Sequence, residues 1–267
     1  MTRTLAALMT LLAAGFVNAA EPKVEIVGHR GASFDAPENT VAAIKLAWEQ
    51  KADASEFDIY LTKDGKLVVI HDATTKRTAG EDKKVADSTL EELRTLDAGK
   101  WKGAKFAGEK LPTLDEMLAT VPAGKRAFIE VKCGPEAVPE MSRVIKASKL
   151  KSEQTCVISF NADVIAATKK ARPDLQALWL VSLNTKGKPR TADELIAKAK
   201  EIKADGLDLS ATPAVLDKAF AAKIKSAGLK LYVWTVNDAD LAKKMIEVGA
   251  ESITTDKPGW LREQLAK

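Results

Sequence analysis

Short β-rich segments alternate with amphipathic helical segments along most of the chain, and this alternation constrains the fold more than any other feature. Nine segments have the length and the β-branched and aromatic content of strands, namely 24–29, 55–62, 66–72, 127–132, 155–160, 177–182, 205–210, 230–236 and 252–256. Apolar residues repeat with helical spacing between most of them, at 39–50, 113–121, 161–171, 192–202, 212–228 and 238–249. The first of these segments begins with Asn39, which is expected to cap its helix. Repeated strand–helix units predict a parallel sheet, because parallel neighbours need a crossover connection.

The number of units favours an α/β fold of one domain over 21–267, a (β/α)₈ TIM barrel. Such a barrel typically has about 250 residues, and the chain has 267. The alternative is a doubly wound open sheet, which is disfavoured because no G-x-G-x-x-G sequence follows a strand segment. The polar, Lys- and Gly-rich segment 73–112 is interpreted as a small insertion with a short helix at about 88–96.

One strand segment is in excess of the eight that a barrel needs, and a hairpin offers the reason. Asp64-Gly65 lies between two apolar runs, which is a strong hairpin signal. This allows 66–72 to be an antiparallel strand outside the barrel. A two-residue turn would pair Lys63 with Lys66, and the same register would place Asp58 opposite His71.

Residues 1–20 are typical of a signal peptide, with Arg3, an apolar stretch over 5–17 and small residues around Ala19 and Ala20. The alternative is a retained anchor, but the uncharged run over 4–20 is at the short limit for a membrane span. We therefore expect an exported protein, periplasmic or secreted. Cys133 and Cys156 are expected to be free thiols, because neighbouring parallel strands would place them near opposite ends of the sheet.

Three strand ends carry pairs of charged or titratable residues. In a barrel, the carboxyl ends of the strands face the active site, so these pairs are expected to meet at one rim. Phe57, Ile59 and Leu61 alternate with the carboxylates of the second segment, which directs those carboxylates to the barrel interior. His71 joins the same rim through the hairpin. The pairs are His29 and Arg30, Glu56 and Asp58, and Glu130 and Lys132.

Each residue type suits one part of phosphoester chemistry. Three carboxylates suit a hard divalent cation such as Ca²⁺ or Mg²⁺, two histidines suit proton transfer near neutral pH, and an arginine with a lysine suits a phosphate. Taken singly, each pair has an ordinary alternative as a strand end, a solvated strand face or an exposed ion pair. Net charge is +4, from 41 basic and 37 acidic side chains, which is too balanced to indicate a nucleic-acid-binding protein.

The chain resembles the glycerophosphodiester phosphodiesterase family from about Val24 to Pro258. The resemblance rests on seven segments in the order typical of the family: VGHRGASFDAPENT, EFDIYLTKDGKLVVIHDATTKRTAG, STLEELRTLDAG, LPTLDEML, IEVK, VISF and VWTVN. It implies a TIM barrel with an insertion after the second histidine. It also implies hydrolysis of a glycerophosphodiester, such as glycerophosphocholine or glycerophosphoethanolamine, to glycerol 3-phosphate and an alcohol.

The resemblance also implies a role for each site residue. His29 and His71 match the acid–base pair. The residues that match the family's metal ligands are Glu56, Asp58 and Glu130. Those that match its phosphate contacts are Arg30 and Lys132, and those that match its pocket lining are Phe160 and Trp234. Glu38 is expected to orient Arg30, and Asp72 is expected to be structural.

Two other functions are compatible with the same residues. Related phospholipases C and D act on lipid head groups with similar sites, but they need an apolar surface, and we expect no exposed aromatic loop here. A periplasmic protein that binds phosphoesters without turnover is a second alternative, disfavoured by the two histidines. The native metal, the preferred alcohol, the attacking oxygen and the oligomeric state are left open.

Overall fold

The structure, a computed structural model, describes residues 24–183 and 189–267. Within these ranges nine strands form one sheet. They are β1 (Glu25–Gly28), β2 (Ala54–Leu61), β3 (Leu67–Val69), β4 (Arg126–Val131), β5 (Thr155–Ser159), β6 (Gln176–Val181), β7 (Gly206–Ser210), β8 (Lys230–Trp234) and β9 (Ser252–Thr255). Eight of them are parallel, and the pairing of β1 with both β2 and β9 closes the barrel. The TIM barrel expected from the strand–helix alternation is confirmed.

Ten α-helices lie in the same ranges, and most of them follow a barrel strand. They are α1 (Val41–Glu49), α2 (Lys76–Ala79), α3 (Leu90–Arg94), α4 (Leu114–Leu118), α5 (Val138–Ala147), α6 (Ala162–Ala171), α7 (Ala192–Glu201), α8 (Lys218–Ser226), α9 (Ala239–Val248) and α10 (Pro258–Leu265). Side chains cap many of them at the amino end. Thr113, for example, accepts from the backbone N–H of Glu116 in a capping box.

The barrel has two apolar layers, as the alternation of side chains along its strands requires. One face of each strand packs against the helices in the main core, where Phe57 and Ile59 of β2 are fully buried. The other face fills the barrel interior, with Phe128, Cys156, Leu178 and other side chains. Hence the inward face of β2 is left with Glu56 and Asp58, both buried.

The hairpin after β2 differs from the expected one by a single residue. β3 is antiparallel to β2 outside the barrel, but Leu61 pairs with Leu67, and the backbone N–H of Ile70, not of His71, donates to Asp58 O at 3.0 Å. The predicted pairing of Asp58 with His71 is therefore wrong. The loop has three residues instead of two, because Gly65 adopts a φ of +72° and the ladder resumes between Thr62 and Lys66.

Two helix starts also differ from the sequence pattern. Asn39 does not cap α1. Thr40 does, since its side chain accepts from the N–H of Ala43, which frees the Asn39 side chain for the barrel interior. α8 begins only at Lys218, after the Asp217 cap. Both cysteines are free, as predicted.

The insertion over 73–112 is a short excursion that contains α2 and α3 and packs a small cluster of its own against β3. No helix within the described ranges is long and apolar enough to cross a membrane. The predicted signal peptide over 1–20 lies outside the described residues.

Candidate active site

A cavity of about 220 Å³ opens at the carboxyl end of the barrel, where the loops after the strands meet. Eight of the nine residues predicted to form the site line this cavity. They are His29, Arg30, Glu56, His71, Glu130, Lys132, Phe160 and Trp234. The ninth, Asp58, is 1% exposed and contacts several of them from the barrel interior. The fold thus brings all the predicted residues together.

The three carboxylates form a buried cluster. One oxygen from each of Glu56, Asp58 and Glu130 lies within 4.8 Å of the others. Burial, with the charges of Asp58 and Glu130, raises the pKa of Glu56 well above its usual range. Burial and then the charge of Asp58 raise the pKa of Glu130 to about 7.

This cluster fits a divalent cation. Its donors are all carboxylate oxygens, and Oε1 of Glu56 is buried with no hydrogen-bond partner among the described residues. Three close carboxylates repel one another unless positive charge is placed between them. The site could therefore hold a metal ion.

Asn39 orients the central carboxylate of the cluster. Its side-chain N–H donates to Asp58 Oδ2 at 2.8 Å, and its Oδ1 accepts from the backbone N–H of Asp58 at 3.1 Å. Asn39 adopts a φ of +60°, in the left-handed region that asparagine tolerates better than most residues. The pair of bonds fixes Asp58 from the loop before α1.

Two cations border the carboxylates. The backbone N–H of Arg30 donates to Glu56 at 2.8 Å, and its guanidinium lies 3.4 Å from Asp58. Lys132 Nζ lies 2.8 Å from Glu130 and 3.2 Å from His71 Nε2. Both cations line the cavity, so positive charge is available to an anion there.

Each histidine has a carboxylate on Nδ1. His29 Nδ1 lies 2.6 Å from Asp256 Oδ1, and His71 Nδ1 lies 2.8 Å from Asp72 Oδ1. A carboxylate at Nδ1 favours the tautomer with its proton there, which leaves Nε2 for proton transfer in the cavity. Burial, with the positive charges of Arg30 and Lys132, shifts the pKa of His71 below its usual value, although the charge of Asp58 opposes the shift.

The carboxylate partners are themselves held in place. Ser33 donates to Asp256 at 3.0 Å, and Asn237 donates to its other oxygen at 2.5 Å. Burial opposes ionisation of Asp256, but the hydrogen bonds from His29, Asn237 and Ser33 outweigh it and lower its pKa to about 2. The hydrogen bond from Arg77 is the main reason that the pKa of Asp72 falls to about 2.

Arg77 of α2 joins the two halves of the site. It donates to Asp72 at 2.6 Å and makes two bonds to Glu38, at 2.7 and 2.8 Å. Glu38 also accepts from Arg30 at 2.9 Å. The insertion is thus bonded both to the partner of His71 and to the partner of Arg30.

Aromatic rings form the mouth of the cavity. Phe160 is 47% exposed and meets Trp234 edge to face, with ring centroids 5.4 Å apart. The expectation of no exposed aromatic loop is wrong. Four large apolar side chains within the described residues are exposed, all on loops or helix starts at the carboxyl end of the barrel: Phe34, Trp101, Phe160 and Trp260.

Comparison with known proteins agrees with this geometry. The sequence profile of the glycerophosphoryl diester phosphodiesterase family matches residues 29–260. The chain belongs to this family. It is 37% identical over 242 residues to a glycerophosphodiester phosphodiesterase of Caldanaerobacter subterraneus, which covers 88% of this chain and 95% of that protein. It is 31% identical to a glycerophosphodiester phosphodiesterase of Bacillus subtilis, with 88% and 84% covered. Members of this family are phosphoric diester hydrolases, and this chain is therefore an enzyme of that class.

A solved structure of the family is similar over nearly its whole length. A phosphodiesterase of Oleispira antarctica, in complex with the product sn-glycerol-3-phosphate, superposes with a TM-score of 0.82 at 28% identity. The alignment covers 91% of this chain and 97% of that one.

Several residues at or next to the cavity were not predicted from the sequence. Asp256 ends the last strand segment, so the rule that strand ends face the site could have found it. Asp208 lies mid-strand in β7 and lines the cavity, and Arg77 reaches the site from the insertion. Glu38 does contact Arg30, as expected. Asp72 holds His71, so its structural role is to position that histidine.

Proposed function

We propose that the protein hydrolyses glycerophosphodiesters, such as glycerophosphocholine or glycerophosphoethanolamine, to glycerol 3-phosphate and an alcohol. One observation carries the proposal. Two histidines, each with a carboxylate on Nδ1, line one cavity with a carboxylate cluster and two cations. General acid–base chemistry and stabilisation of phosphoryl charge need these groups together.

The histidines divide the proton transfers between them. One takes a proton from the attacking oxygen, and the other gives a proton to the oxygen of the leaving alcohol. The attacking oxygen belongs to water or to the 2-hydroxyl of the substrate's glycerol. In the second case a cyclic phosphate forms as the alcohol leaves, and water then opens it to glycerol phosphate. Asp256 and Asp72 stabilise the positive charge that each ring carries when protonated.

Arg30 and Lys132 bind the phosphate, whose charge increases in the transition state. Glu56, Asp58 and Glu130 would hold one Ca²⁺ or Mg²⁺, which supplies further positive charge to a phosphoryl oxygen. Oxygen-only donors without cysteine favour these two ions over zinc.

The decisive experiment is an assay of glycerophosphocholine hydrolysis with the wild-type protein, His29→Ala and His71→Ala. We expect each variant to lower kcat by about 10²–10⁴-fold while the circular dichroism spectrum is retained. Asp35→Asn is the matched control, since the exposed side chain of Asp35 bonds only to Gln50 among the described residues. Binding of glycerophosphocholine without turnover by the wild type would identify a binding protein and contradict the proposal.

A second candidate function, hydrolysis of lipid head groups, is favoured by the exposed aromatic residues. Phe34 and Trp260 flank Lys257, whose Nζ lies 4.2 Å and 5.5 Å from their ring centroids. Lys102 bonds to Ser33 O at 2.7 Å and lies 5.6 Å from the ring of Trp101, so the residues form one ridge. Aromatic and lysine side chains together suit the interface of an anionic bilayer.

Vesicle co-sedimentation separates the two functions. If lipids are substrates, the wild type should bind phosphatidylcholine–phosphatidylglycerol vesicles more strongly than phosphatidylcholine vesicles and cleave lipid. Phe34→Ser with Trp260→Ser should then lose binding, whereas Lys151→Ala at the opposite end of the barrel should not. No binding and no lipid cleavage would leave the soluble diesters as the substrates.

The protein is also proposed to be exported and to act in the periplasm or outside the cell. The support is the sequence of residues 1–20, with its basic start, apolar stretch and small residues. Amino-terminal sequencing of the protein from a periplasmic fraction should begin near Glu21. An intact Met1 on a protein that stays in the cytoplasm would contradict this.

A further inference from the structure

Asp208 is a buried carboxyl group with no hydrogen-bond partner in the part of the chain that the structure describes. It lies on β7, where Leu207 and Leu209 face the helices, so that its own side chain points into the barrel. It is 1% exposed, its Oδ1 is buried and unpaired, and it lines the same cavity as the two histidines.

The surroundings of Asp208 offer it nothing to bond. On the neighbouring strands it lies beside Leu180 and Tyr232, and the hydroxyl of Tyr232 is directed to Gln176. The indole N–H of Trp234 donates to the backbone oxygen of Asp208 and not to its carboxyl. Burying an unpaired carboxyl is costly, so such a group calls for a partner that the folded chain does not itself supply.

The metal ion that the carboxylate cluster could hold is not that partner. The carboxylates whose oxygens lie within 4.8 Å of one another are Glu56, Asp58 and Glu130, and Asp208 is not in this group. Both lysine and arginine of the cavity pair with other acids, Glu130 and Glu38. Because Asp208 lines the cavity, a hydroxyl of a substrate bound there can supply the missing hydrogen bond.

We propose that Asp208 binds a free hydroxyl of the substrate's glycerol at the floor of the cavity and thereby selects glycerol-bearing phosphodiesters. This inference rests on the proposed function and deepens it. In a diester such as glycerophosphocholine, the glycerol half alone carries free hydroxyls. Phe160 at the exposed mouth leaves apolar surface for the other alcohol, whereas the unpaired carboxyl of Asp208 is buried in the barrel interior.

A carboxyl suits this partner chemically. A hydroxyl donates and accepts, and a neutral carboxyl also donates and accepts. Burial, reinforced by the charge of Glu130, raises the pKa of Asp208 well above its usual range and so favours the neutral form. A site built to bond a hydroxyl rejects the analogue without it, because its own polar group is then left unpaired.

The test compares the binding of glycerol 3-phosphate with that of propyl phosphate, which has the same charge and neither hydroxyl, by calorimetry with Ca²⁺ present. The wild type should bind glycerol 3-phosphate more tightly. Asp208→Leu should reduce this preference by about 10- to 100-fold, and Asp208→Asn, which still donates and accepts, should keep most of it. Ser252→Ala is the matched control, since Ser252 is also buried and unpaired but does not line the cavity.

The outcomes are distinguishable. Equal binding of the two ligands by the wild type, or an unchanged preference in Asp208→Leu, would overturn the role of Asp208. If Asp208→Leu weakens both ligands equally, Asp208 is structural and the inference is wrong. A wild type that prefers glycerol 3-phosphate through Asp208 but does not hydrolyse glycerophosphocholine would keep this subsite and refute the proposed function.

Discussion

A histidine transfers protons well only when its ring is held in one tautomer and one orientation. His29 and His71 come from different strand ends, and each is held at Nδ1 by an aspartate, Asp256 or Asp72. Asp256 comes from the last barrel strand and meets the histidine of the first one because β1 pairs with β9. Closure of the barrel therefore builds this half of the site.

We expect Asp256→Asn to lower kcat by about 10²–10⁴-fold with little change in KM. Asp256 accepts from His29, Ser33 and Asn237. An amide has one oxygen instead of two, so it cannot satisfy all three donors, and the tautomer of His29 is no longer fixed. Steady-state kinetics with glycerophosphocholine would measure this, with Asp35→Asn as the control. Unchanged kcat would show that His29 does not depend on Asp256.

The carboxylate cluster should bind its cation more weakly as the pH falls. Because the pKa of Glu130 is raised to about 7, a cation must displace a proton below that pH, whereas above it the carboxylate is already charged. Calorimetric titration with Ca²⁺ should show weaker binding at pH 6 than at pH 8, and EDTA should abolish activity until Ca²⁺ or Mg²⁺ is restored. Glu130→Gln should weaken binding and reduce its pH dependence, while Glu140→Gln on the surface should change neither. Full activity of a metal-free protein after dialysis against EDTA would exclude this role.

At this scale the sequence predicted the nine residues at the cavity and the contact of Glu38 with Arg30, but it missed Asp256 and Arg77. Pairs such as Glu56 with Asp58 were predictable, because side chains two apart on a strand share a face and the carboxyl ends of barrel strands meet at one rim. Asn39 was expected to cap a helix, but Thr40 does so. The sequence could not decide between them, because Asn39 is drawn away by a buried acceptor on β2, the carboxylate of Asp58. The position of Asp208 in the cavity could not be predicted from the sequence near it, because the cavity forms only when the eight strands close into a barrel.

Among the elements, α2 is the one that connects the insertion to the site. Within the described chain, Arg77 is the residue of α2 that bonds to both Glu38 and Asp72. A guanidinium presents several donors in a fixed fork, so it can hold two carboxylates in a fixed relation. The insertion thus acts as a strap across the loops that carry Arg30 and His71.

Arg77→Ala should lower kcat/KM by about 10- to 100-fold, because both neighbouring loops lose a fixed contact. It should also raise the pKa of His71, since Asp72 loses the positive charge that balances its own. The limb of the pH–rate profile that His71 controls should therefore move to higher pH. Lys76→Ala is the control, since within the described chain the side chain of Lys76 pairs only with exposed Asp82. An unmoved pH profile in Arg77→Ala would reduce the strap to a structural feature.

The elements themselves were largely predictable, and the exception is instructive. Segment length with β-branched and aromatic content identified all nine strands, and the helical spacing of apolar residues identified most helices. The hairpin register was wrong because Asp-Gly permits both two- and three-residue loops, and only the φ of +72° at Gly65 decides between them. α2, α5 and α10 were not predicted.

Across the whole molecule, the two ends of the barrel have different tasks. The carboxyl end holds the cavity, the buried carboxylates and the exposed aromatic ridge, all of which cost stability. The amino end is closed by Arg126 at the start of β4, which makes two 2.9 Å bonds to Glu25 of β1 and also bonds Gln176 and Glu153 O. This single side chain ties together strands that are far apart in sequence.

Arg126→Ala should therefore destabilise the barrel without altering catalysis. Loss of one partner leaves Glu25, whose side chain is 18% exposed, without its counter-charge, at a cost of about 3 kcal/mol. That cost corresponds to a decrease in Tm of about 6–12 °C for a chain of this size. Arg143→Ala, which breaks an exposed ion pair with Glu140, should leave the Tm nearly unchanged. Thermal unfolding and glycerophosphocholine hydrolysis at 25 °C measure the two effects separately. A fall in kcat/KM equal to that of the site variants would mean that the amino end also shapes the cavity, because its loss would then be transmitted along the strands to the carboxylate cluster.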